Sequence, residues 1–403
     1  LPEEFKKMKG YDIVSMLPLL VRDEEDSDYV RFDYYDVIAD MYTEATFKQV
    51  YEWCEKNNLK TIGHFLGEET IAAQSYFGAD MMRGYKYFHV PGIDHLGNGI
   101  GSLNAKFAVS ACRNYGISRI ACEAFGASGW DITFEDMVRI SNWLFQQGIN
   151  LIIMHGFYYS IRGERYNDFP PSYFYQWRYW DDMPRYIKMA NRMMNLLSDG
   201  IHETEILVYS PMETFWCYLE PDLETKTGFW EEGPWIKNEK AKEIDNKFQL
   251  LCNRLSDENL DYNILNNDAA GNFSVQEGKL VNHLSGEKFA VLILPFAEIL
   301  ADTMLQLVNN FEEAGGIIIN YESDIRKVVC KNGDHFRKNN RIKIRKELLK
   351  NAGTLQDVVD FCREKVKLPF EILEGTNKMS RTLSSYQGRL IDPYIHDGEI
   401  VYG

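Results

Sequence analysis

The sequence predicts an α/β protein that begins with the C-terminal half of a (β/α)8 barrel and continues into a smaller doubly wound α/β domain. Short apolar runs alternate with helical patterns at roughly 30-residue spacing, which is typical of βαβ units in a parallel sheet. Polar and aromatic clusters follow the ends of the early runs, as they do at the mouth of a barrel. Four such runs precede residue 200, so we expect half a barrel.

Hydrophobic spacing and boundary residues predict the elements of the first half in order. Apolar residues at helical spacing predict a helix over residues 31–58, and Thr133 followed by Asp136 resembles a capping box that opens another. The predicted strands are short apolar runs that end in polar residues or turns: 59–66, 89–94, 118–123 and 149–154. The helices predicted between and after them are 72–88, 102–115, 133–147 and 180–197.

The second half repeats the alternation on a smaller scale. Strands are predicted at 204–210, 262–265, 289–295 and 317–320, with helices at 241–255 and 302–314. No Gly-x-Gly-x-x-Gly loop follows a strand, so dinucleotide binding has no support. We expect a barrel domain over 1–200 and a doubly wound domain over 201–347. Residues 348–403 are expected to hold a linker, with a helix at 355–365, and the start of a β-rich domain; both chain ends read as unfinished.

Composition narrows the class of protein. A length of 403 residues requires at least two cores, and a net charge of −16 argues against nucleic acid, whose affinity depends on Lys and Arg. No apolar run approaches the ~20 residues of a membrane span. Seven scattered cysteines without a Cys-x-x-Cys pair favour reduced thiols and a cytoplasmic rather than secreted location. Aromatic residues reach 14% and concentrate in loops, as in sugar-binding clefts.

Glu123 is the strongest candidate for chemistry. It lies at the end of a buried parallel strand and is followed by Ala-Phe-Gly, which permits a tight turn. Barrel enzymes carry their chemistry at such strand ends. Glycoside hydrolysis needs two carboxyl groups, one to protonate the leaving oxygen and one to act as nucleophile or as base for water. Glu123 fits either role, and the alternative is a structural carboxylate that pairs with an arginine.

Other polar residues follow the neighbouring strands and are expected at the same mouth. Glu68 is the candidate for the second catalytic carboxylate, although it fits a sugar contact or a calcium ligand equally well. The candidate substrate contacts at strand ends are His64, Asp94, His95 and His155, and those in the adjoining loops are Trp130, Tyr158, Tyr159 and Arg162. The alternative to a substrate contact is that these histidines and aromatic rings have only a structural role in packing. Cys122 is expected to point away from Glu123, because neighbours on a strand face opposite sides.

An ordered set of motifs resembles glycoside hydrolases of the family 106 α-L-rhamnosidase type over roughly residues 9 to 330. The motifs are Lys-Gly-Tyr-Asp-Ile from Lys9, Gly-His-Phe-Leu-Gly-Glu from Gly63, Val-Pro-Gly-Ile-Asp from Val90, Cys-Glu-Ala-Phe-Gly from Cys122, Gly-Trp-Asp from Gly129 and His-Gly-Phe-Tyr-Tyr-Ser from His155. The second domain resembles the flavodoxin-like domain that follows the barrel in family 42 β-galactosidases.

The resemblance implies inverting hydrolysis, with Glu123 as the base that activates water. In the family the acid lies in an Asp-Glu-Pro segment at the end of the fourth barrel strand, which this sequence lacks, so its strands would be the fifth to eighth. Calcium near the sugar is also a family feature, which makes Glu68 a candidate ligand or sugar contact.

Three hypotheses remain open at this stage. The first is a glycosidase acting on rhamnosides, which by itself would lack the acid. The second is a catalytically silent carbohydrate-binding or scaffold protein that keeps the cleft. The third is an oligomerisation role for the second domain, forming a homo-oligomer, since related domains mediate trimers.

Overall fold

A computed structural model describes residues 1–221, 236–334 and 350–366, together with the backbone of four short strands between 384 and 402. The first half contains one parallel sheet of four strands, whose spatial order follows the chain. These strands are β1 (Ile62–Gly63), β2 (Val90–Leu96), β3 (Ala121–Gly126) and β4 (Leu151–Met154). Consecutive strands are therefore neighbours, as βαβ units require.

Helices precede, connect and follow these strands. Those with α-helical geometry are Pro2–Lys9, Leu17–Val21, Ser27–Tyr42, Gln49–Lys56, Ile71–Gly78, Met81–Gly84, Asn104–Asn114, Phe134–Gln147 and Met183–Leu196. A π-helical stretch, Thr43–Lys48, joins two of them, so the predicted helix over 31–58 is continuous. The capping box is confirmed: Thr133 accepts from the Asp136 N–H, and the Asp136 side chain accepts from the Thr133 N–H.

Three predictions for the first half were wrong in extent. The helix predicted over 72–88 breaks at Ala79, whose φ is 61°, and Asp80 caps a new short helix by accepting from the Arg83 N–H. Of the strand predicted over 59–66, only Ile62–Gly63 pairs with its neighbour. The short extended piece predicted at 89–94 is instead the seven-residue strand β2, because it pairs with strands on both sides.

The second half contains a five-stranded parallel sheet. Its strands in chain order are Ile206–Tyr209, Tyr262–Leu265, Val291–Pro295, Ile317–Tyr321 and Lys350–Ala352. Their spatial order is 2-1-3-4-5, the order found in flavodoxin-like sheets. Helices Met212–Tyr218, Glu239–Asp257, Asp302–Glu313 and Leu355–Lys365 accompany them.

Smaller elements complete the second half. Phe273–Gln276, Lys279–Asn282 and Lys288–Phe289 form an antiparallel sheet that the sequence did not predict, and Ile299–Ala301 pairs in parallel with Lys327–Val329. Ile201–His202 pairs with Ser384–Tyr386, and Arg389–Ile391 adds to that sheet. Pro393–His396 and Glu399–Tyr402 form a hairpin, so the structure has strands in the segment that was expected to be β-rich. Residues 367–383 of that segment, which include a further run of alternating residues from Arg381, lie outside the described residues.

One apolar cluster runs between the two sheets, and two further clusters lie on the other face of the second sheet and among the first helices. The helix Asn104–Asn114 lies between the two sheets: the Phe107 ring contacts Phe248, and the Asn114 side chain donates to the carbonyl of Ile264. All seven cysteines are buried thiols. No helix within the described part of the chain is both long enough and apolar enough to cross a membrane.

Candidate functional site

The site lies at the carboxyl ends of the first sheet's strands. Strand register places Glu123 of β3 beside Asp94 of β2 on one side and Ile153 of β4 on the other. Residues in register on neighbouring parallel strands project to the same face, so the Asp94 and Glu123 carboxyls share a face. Cys122 is fully buried on the opposite face, as predicted from strand alternation.

Two histidines flank the Glu123 carboxylate. His64 Nε2 lies 3.3 Å from Glu123 Oε2, and His155 Nε2 lies 3.9 Å from Oε1. The Glu123 side chain keeps 39% of its surface exposed, compared with 29% for His64. The structure therefore brings together His64 after β1, Glu123 in the middle of β3 and His155 after β4, and leaves the carboxylate open to solvent and ligands. The prediction that Glu123 ends a strand over 118–123 was wrong, because the paired strand runs from Ala121 to Gly126.

Asp94 is the second carboxyl of this cluster. Its backbone is fixed on both sides, since its N–H donates to Glu68 and its carbonyl accepts from the Asn104 side chain. Burial raises the pKa of Asp94, His64 opposes that shift, and the charge of Glu123 adds to it. Asp94 Oδ1 is buried and makes no hydrogen bond among the described residues. A carboxyl with a raised pKa is better able to hold a proton and donate it to a substrate oxygen.

Glu68 is buried beneath the cluster rather than exposed in it. Its Oε1 accepts from the Phe65 N–H at 2.7 Å, and its Oε2 accepts from the Asp94 N–H at 3.2 Å. The Tyr85 hydroxyl also lies 3.1 Å from Oε1. Burial raises the pKa of Glu68 well above its usual range. These contacts join the loop after β1 to β2, and they favour a positioning role for Glu68 over contact with a substrate.

The described residues do not fit a resident calcium ion at Glu68. Both of its oxygens already accept backbone hydrogen bonds. Across 1–221, 236–334 and 350–366, no three His, Cys, Asp or Glu side chains gather in a way that would hold a metal ion.

His95 is separated from the other predicted histidines. Its ring is buried against Trp143, and its Nε2 lies 2.8 Å from the carbonyl of Gly99. Burial lowers the pKa of His95, so its ring is kept neutral. Next to Asp94 along β2, it points away from the carboxyl cluster, because successive side chains alternate. It does line a cavity of about 250 Å³ together with Glu69, Asp94 and Asn104.

The predicted aromatic residues form the outer part of the site. Trp130 stacks on Tyr166 with ring centroids 4.9 Å apart, and its indole N–H donates to the Tyr166 carbonyl. The Tyr158 ring meets His155 edge to face at 6.4 Å. Tyr159 is 84% exposed, and Arg162 is exposed in the same loop.

Sequence reasoning missed three contributors to the site. Phe169 packs 5.8 Å from the His155 ring, Tyr166 stacks on Trp130, and Tyr85 contacts Glu68. The first two belong to the aromatic-rich loop after β4, whose composition was the available signal. Tyr85 carried no such signal, because its contact depends on how two short helices pack under β2.

Comparisons with known proteins add two findings. Residues 1–212, more than half of the chain, match the family model described as alpha-L-rhamnosidase, Glyco_hydro_106. The curated proteins include no significant sequence match.

Solved structures resemble this fold at low sequence identity. A rhamnosidase from Novosphingobium sp. PP1Y aligns with a TM-score of 0.66 and 14% identity, covering 97% of this chain and 37% of its own. An apo exo-carrageenase of GH42 from Bacteroides ovatus aligns with a TM-score of 0.59 and 11% identity, covering 90% and 50%. A catalytic mutant of Gan42B, a GH42 β-galactosidase from G. stearothermophilus, aligns with a TM-score of 0.54 and 12% identity, covering 97% and 56%. This chain thus spans about a third to just over half of these proteins.

Proposed function

Because this chain belongs to the α-L-rhamnosidase family of glycoside hydrolases, family 106, we propose that it takes part in hydrolysing α-L-rhamnosides, with Glu123 as the catalytic base. The observation that carries the proposal is the position of Glu123, a half-exposed carboxylate in the middle of β3, in register with Asp94 and flanked by two histidines. A carboxylate in this setting accepts a proton from water as that water attacks the sugar's anomeric carbon.

Asp94 is proposed as the second carboxyl at the sugar. Burial raises its pKa, and its buried Oδ1 makes no hydrogen bond among the described residues, so this oxygen is available to a substrate hydroxyl. Glu68 holds the backbone of Asp94 in place and does not itself react. The original hypothesis of Glu68 as a catalytic group therefore gives way, in this proposal, to a positioning role.

The fold around this site is proposed to be the second half of a (β/α)8 barrel over residues 1–200, followed by a flavodoxin-like domain over 201–347 and a β-rich segment over 348–403. The order of the four strands in the first sheet supports this proposal, because neighbouring strands in a (β/α)8 barrel also follow one another along the chain. Among the described residues, β1 and β4 are also the edge strands of this sheet, and their side chains Ile62 and Ile153 are 52% and 41% exposed. Further strands would cover those apolar side chains.

The carbohydrate is proposed to lie between the carboxyl cluster and the aromatic loops. The stacked pair of Trp130 and Tyr166 offers a ring face at the rim, and Tyr158, Tyr159 and Arg162 lie in the loop after β4. Aromatic rings pack on the C–H face of a sugar, while a charged side chain such as Arg162 forms hydrogen bonds with the sugar hydroxyls.

Replacing Glu123 with Gln in the full-length protein tests the proposal. We expect hydrolysis of an aryl α-L-rhamnoside to fall by roughly 100- to 10,000-fold, the usual contribution of a positioned acid or base. Thermal unfolding should stay unchanged, because the side chain is half exposed. An E123Q variant with full activity contradicts the assignment. Rhamnose binding without any hydrolysis by the wild type would favour the alternative, a non-catalytic carbohydrate-binding protein.

A further inference from the structure

We propose that Leu96 and Ile100 are specificity-determining residues, which take up the C6 methyl group of an α-L-rhamnoside and disfavour the corresponding sugar with a hydroxyl at C6. The inference rests on the proposed function, because it concerns the same site. Rhamnose is a 6-deoxy sugar, so its ring carries hydroxyls on one part and a methyl group on another. A site that selects this sugar needs an apolar surface next to polar groups.

The cavity beside Asp94 has such an apolar surface. Three side chains that line it, Leu66, Leu96 and Ile100, are 46%, 43% and 49% exposed. We call these three residues the apolar wall. Single exposed apolar side chains are common on protein surfaces, but a group of them in one cavity marks a surface for an apolar group of a ligand.

Strand geometry joins the apolar wall to the carboxyl cluster. Leu96 follows Asp94 by two positions on β2, so both side chains project to the face that bears Glu123. Leu96 is in register with Gly126 of β3, where a Cβ atom would lie 3.1 Å from Leu96 Cδ2 and 3.3 Å from the His155 ring. Leu96 and His155 therefore approach each other over this glycine, beside the proposed catalytic base.

The loop that carries Ile100 is held in place by hydrogen bonds. The His95 ring donates from Nε2 to the carbonyl of Gly99, 2.8 Å away. The Asn98 side chain donates to the carbonyl of Ser128 in the loop after β3. These contacts fix the backbone just before Ile100, so little ordering of the loop is needed when a ligand binds against it.

The polar side of the same cavity supplies a partner for the sugar hydroxyls. Asp94 and Glu69 both line the cavity, and Asp94 Oδ1 is buried without a hydrogen bond among the described residues. A carboxyl oxygen in this position accepts a hydrogen bond from a sugar hydroxyl. A hydroxyl at C6 would instead lose its hydration against Leu96 and Ile100 without gaining a partner from them. The cavity therefore favours the 6-deoxy sugar.

Binding of three monosaccharides to the full-length protein, measured by calorimetry, tests the proposal. L-Rhamnose carries the methyl group, L-mannose has a hydroxyl added at C6, and L-lyxose lacks C6 altogether. We expect L-mannose and L-lyxose each to bind roughly 10- to 200-fold more weakly than L-rhamnose, which is the range for one small group in an apolar pocket. Equal affinity for L-rhamnose and L-mannose overturns the proposal.

The variants L96N and I100N separate the apolar wall from the rest of the site. Asparagine is polar and similar in size to leucine, and both side chains are exposed, so thermal unfolding should change little. We expect L-rhamnose to bind more weakly and its advantage over L-mannose to fall below about 10-fold. L-Lyxose, which has no group to place against the wall, should bind as it does to the wild type. An equal loss for all three sugars, or an unchanged preference for L-rhamnose in both variants, overturns the proposal.

The I187N variant is the matched control. Ile187 is 44% exposed on the helix Met183–Leu196 and lies outside the cavity. I187N should keep the wild-type ratio of the affinities for L-rhamnose and L-mannose. A ratio changed as much as in I100N would mean that the apolar wall does not set the preference.

Hydrolysis of an aryl α-L-rhamnoside by the full-length protein separates this inference from the proposed function. A protein that prefers L-rhamnose in binding through the apolar wall, but hydrolyses no rhamnoside, overturns the proposed function alone. A protein that hydrolyses the rhamnoside with the help of Glu123, but whose L96N and I100N variants keep the full preference for L-rhamnose, overturns the role of Leu96 and Ile100 alone.

Discussion

Two clusters of charged side chains in this molecule use similar residues in opposite ways. Around Arg83, four aspartates surround one guanidinium: Asp36, Asp40, Asp80 and Asp268. Arg83 and Asp36 are each only 3% exposed, compared with 29% for His64 and 39% for Glu123 in the candidate site. The Arg83 cluster is closed and saturated with ion pairs, while the site cluster is open and keeps atoms available for a ligand.

The pKa shifts of the aspartates do not divide in the same way. Within the Arg83 cluster, burial raises the pKa of Asp80 to about 6 in spite of Arg83, whereas the charge of Arg83 outweighs burial at Asp268 and lowers its pKa. Burial would raise the pKa of Asp36, but the charges of Arg83 and Lys9 outweigh burial and lower it to about 2. At the site, burial raises the pKa of Asp94, and the histidines do not cancel it. Two close cations thus lower the pKa of Asp36, whereas burial prevails at Asp80 in the same cluster and at Asp94 in the candidate site.

Removal of the Arg83 charge should give the largest effect on stability. R83M removes the buried cation that the four carboxylates share, which leaves Lys9 beside Asp36 and the more exposed Lys331 beside Asp40 and Asp268. We expect a loss of about 3–5 kcal/mol in the free energy of unfolding, measured by urea denaturation. R185M is the matched control, because the Arg185 side chain is 78% exposed and pairs with Asp182 on the surface. Equal losses in the two variants would mean that the Arg83 cluster does not hold the fold together.

The E68Q variant should give the second-largest loss of stability. Each Glu68 oxygen accepts a backbone N–H, so the amide group of glutamine would face one of those N–H donors. We expect a loss of about 1–3 kcal/mol in thermal or urea unfolding, the cost of an unsatisfied buried donor. The exposed neighbour Glu69 supplies the control E69Q, which should be nearly neutral. An E68Q variant as stable as the wild type would contradict the positioning role and make Glu68 a candidate catalytic group again.

Glu213 should make stability fall as pH rises, the reverse of Asp36. Burial raises the pKa of Glu213 from 4.5 to about 8, so the folded chain keeps its proton up to that pH. Its contribution is complete below pH 4.5 and is lost between 4.5 and 8, at no more than about 1.4 kcal/mol per pH unit. Urea unfolding across this range should show a flatter dependence for E213Q. The contribution of Asp36 should instead be lost on acidification from pH 3.8 towards 2.

The W130A variant should give the smallest of these effects, and it should weaken sugar binding at the candidate site without lowering stability. We expect rhamnose binding, measured by calorimetry on the full-length protein, to weaken by about 0.5–1.5 kcal/mol, which is the range for an aromatic contact. Stability should change little, since the ring lies at the rim. W53A removes a 57% exposed tryptophan from a helix outside the site and should leave binding unchanged. Equal binding by W130A and W53A would remove Trp130 from the sugar contacts.

Local signals predicted much of the fold because they act within a few residues. The capping box at Thr133 needs only Asp136, and the burial of Cys122 beside the exposure of Glu123 follows from alternation along one strand. The alternation of strands and helices also predicted both parallel sheets. Glu123, His64 and His155 were candidates because each was predicted near the end of a strand, and such ends meet at one edge.

The sequence by itself thus determined the parallel sheets and the set of polar strand ends. Tertiary structure decided which of those residues meet: it placed His64 against Glu123, turned His95 inward against Trp143 and buried Glu68 beneath Asp94. It also joined Arg83 to Asp268 from the other half of the chain. The physical reason is that hydrogen bonds along a helix or strand link near neighbours, whereas burial and charge pairing depend on distances that exist only after the sheets and helices have packed.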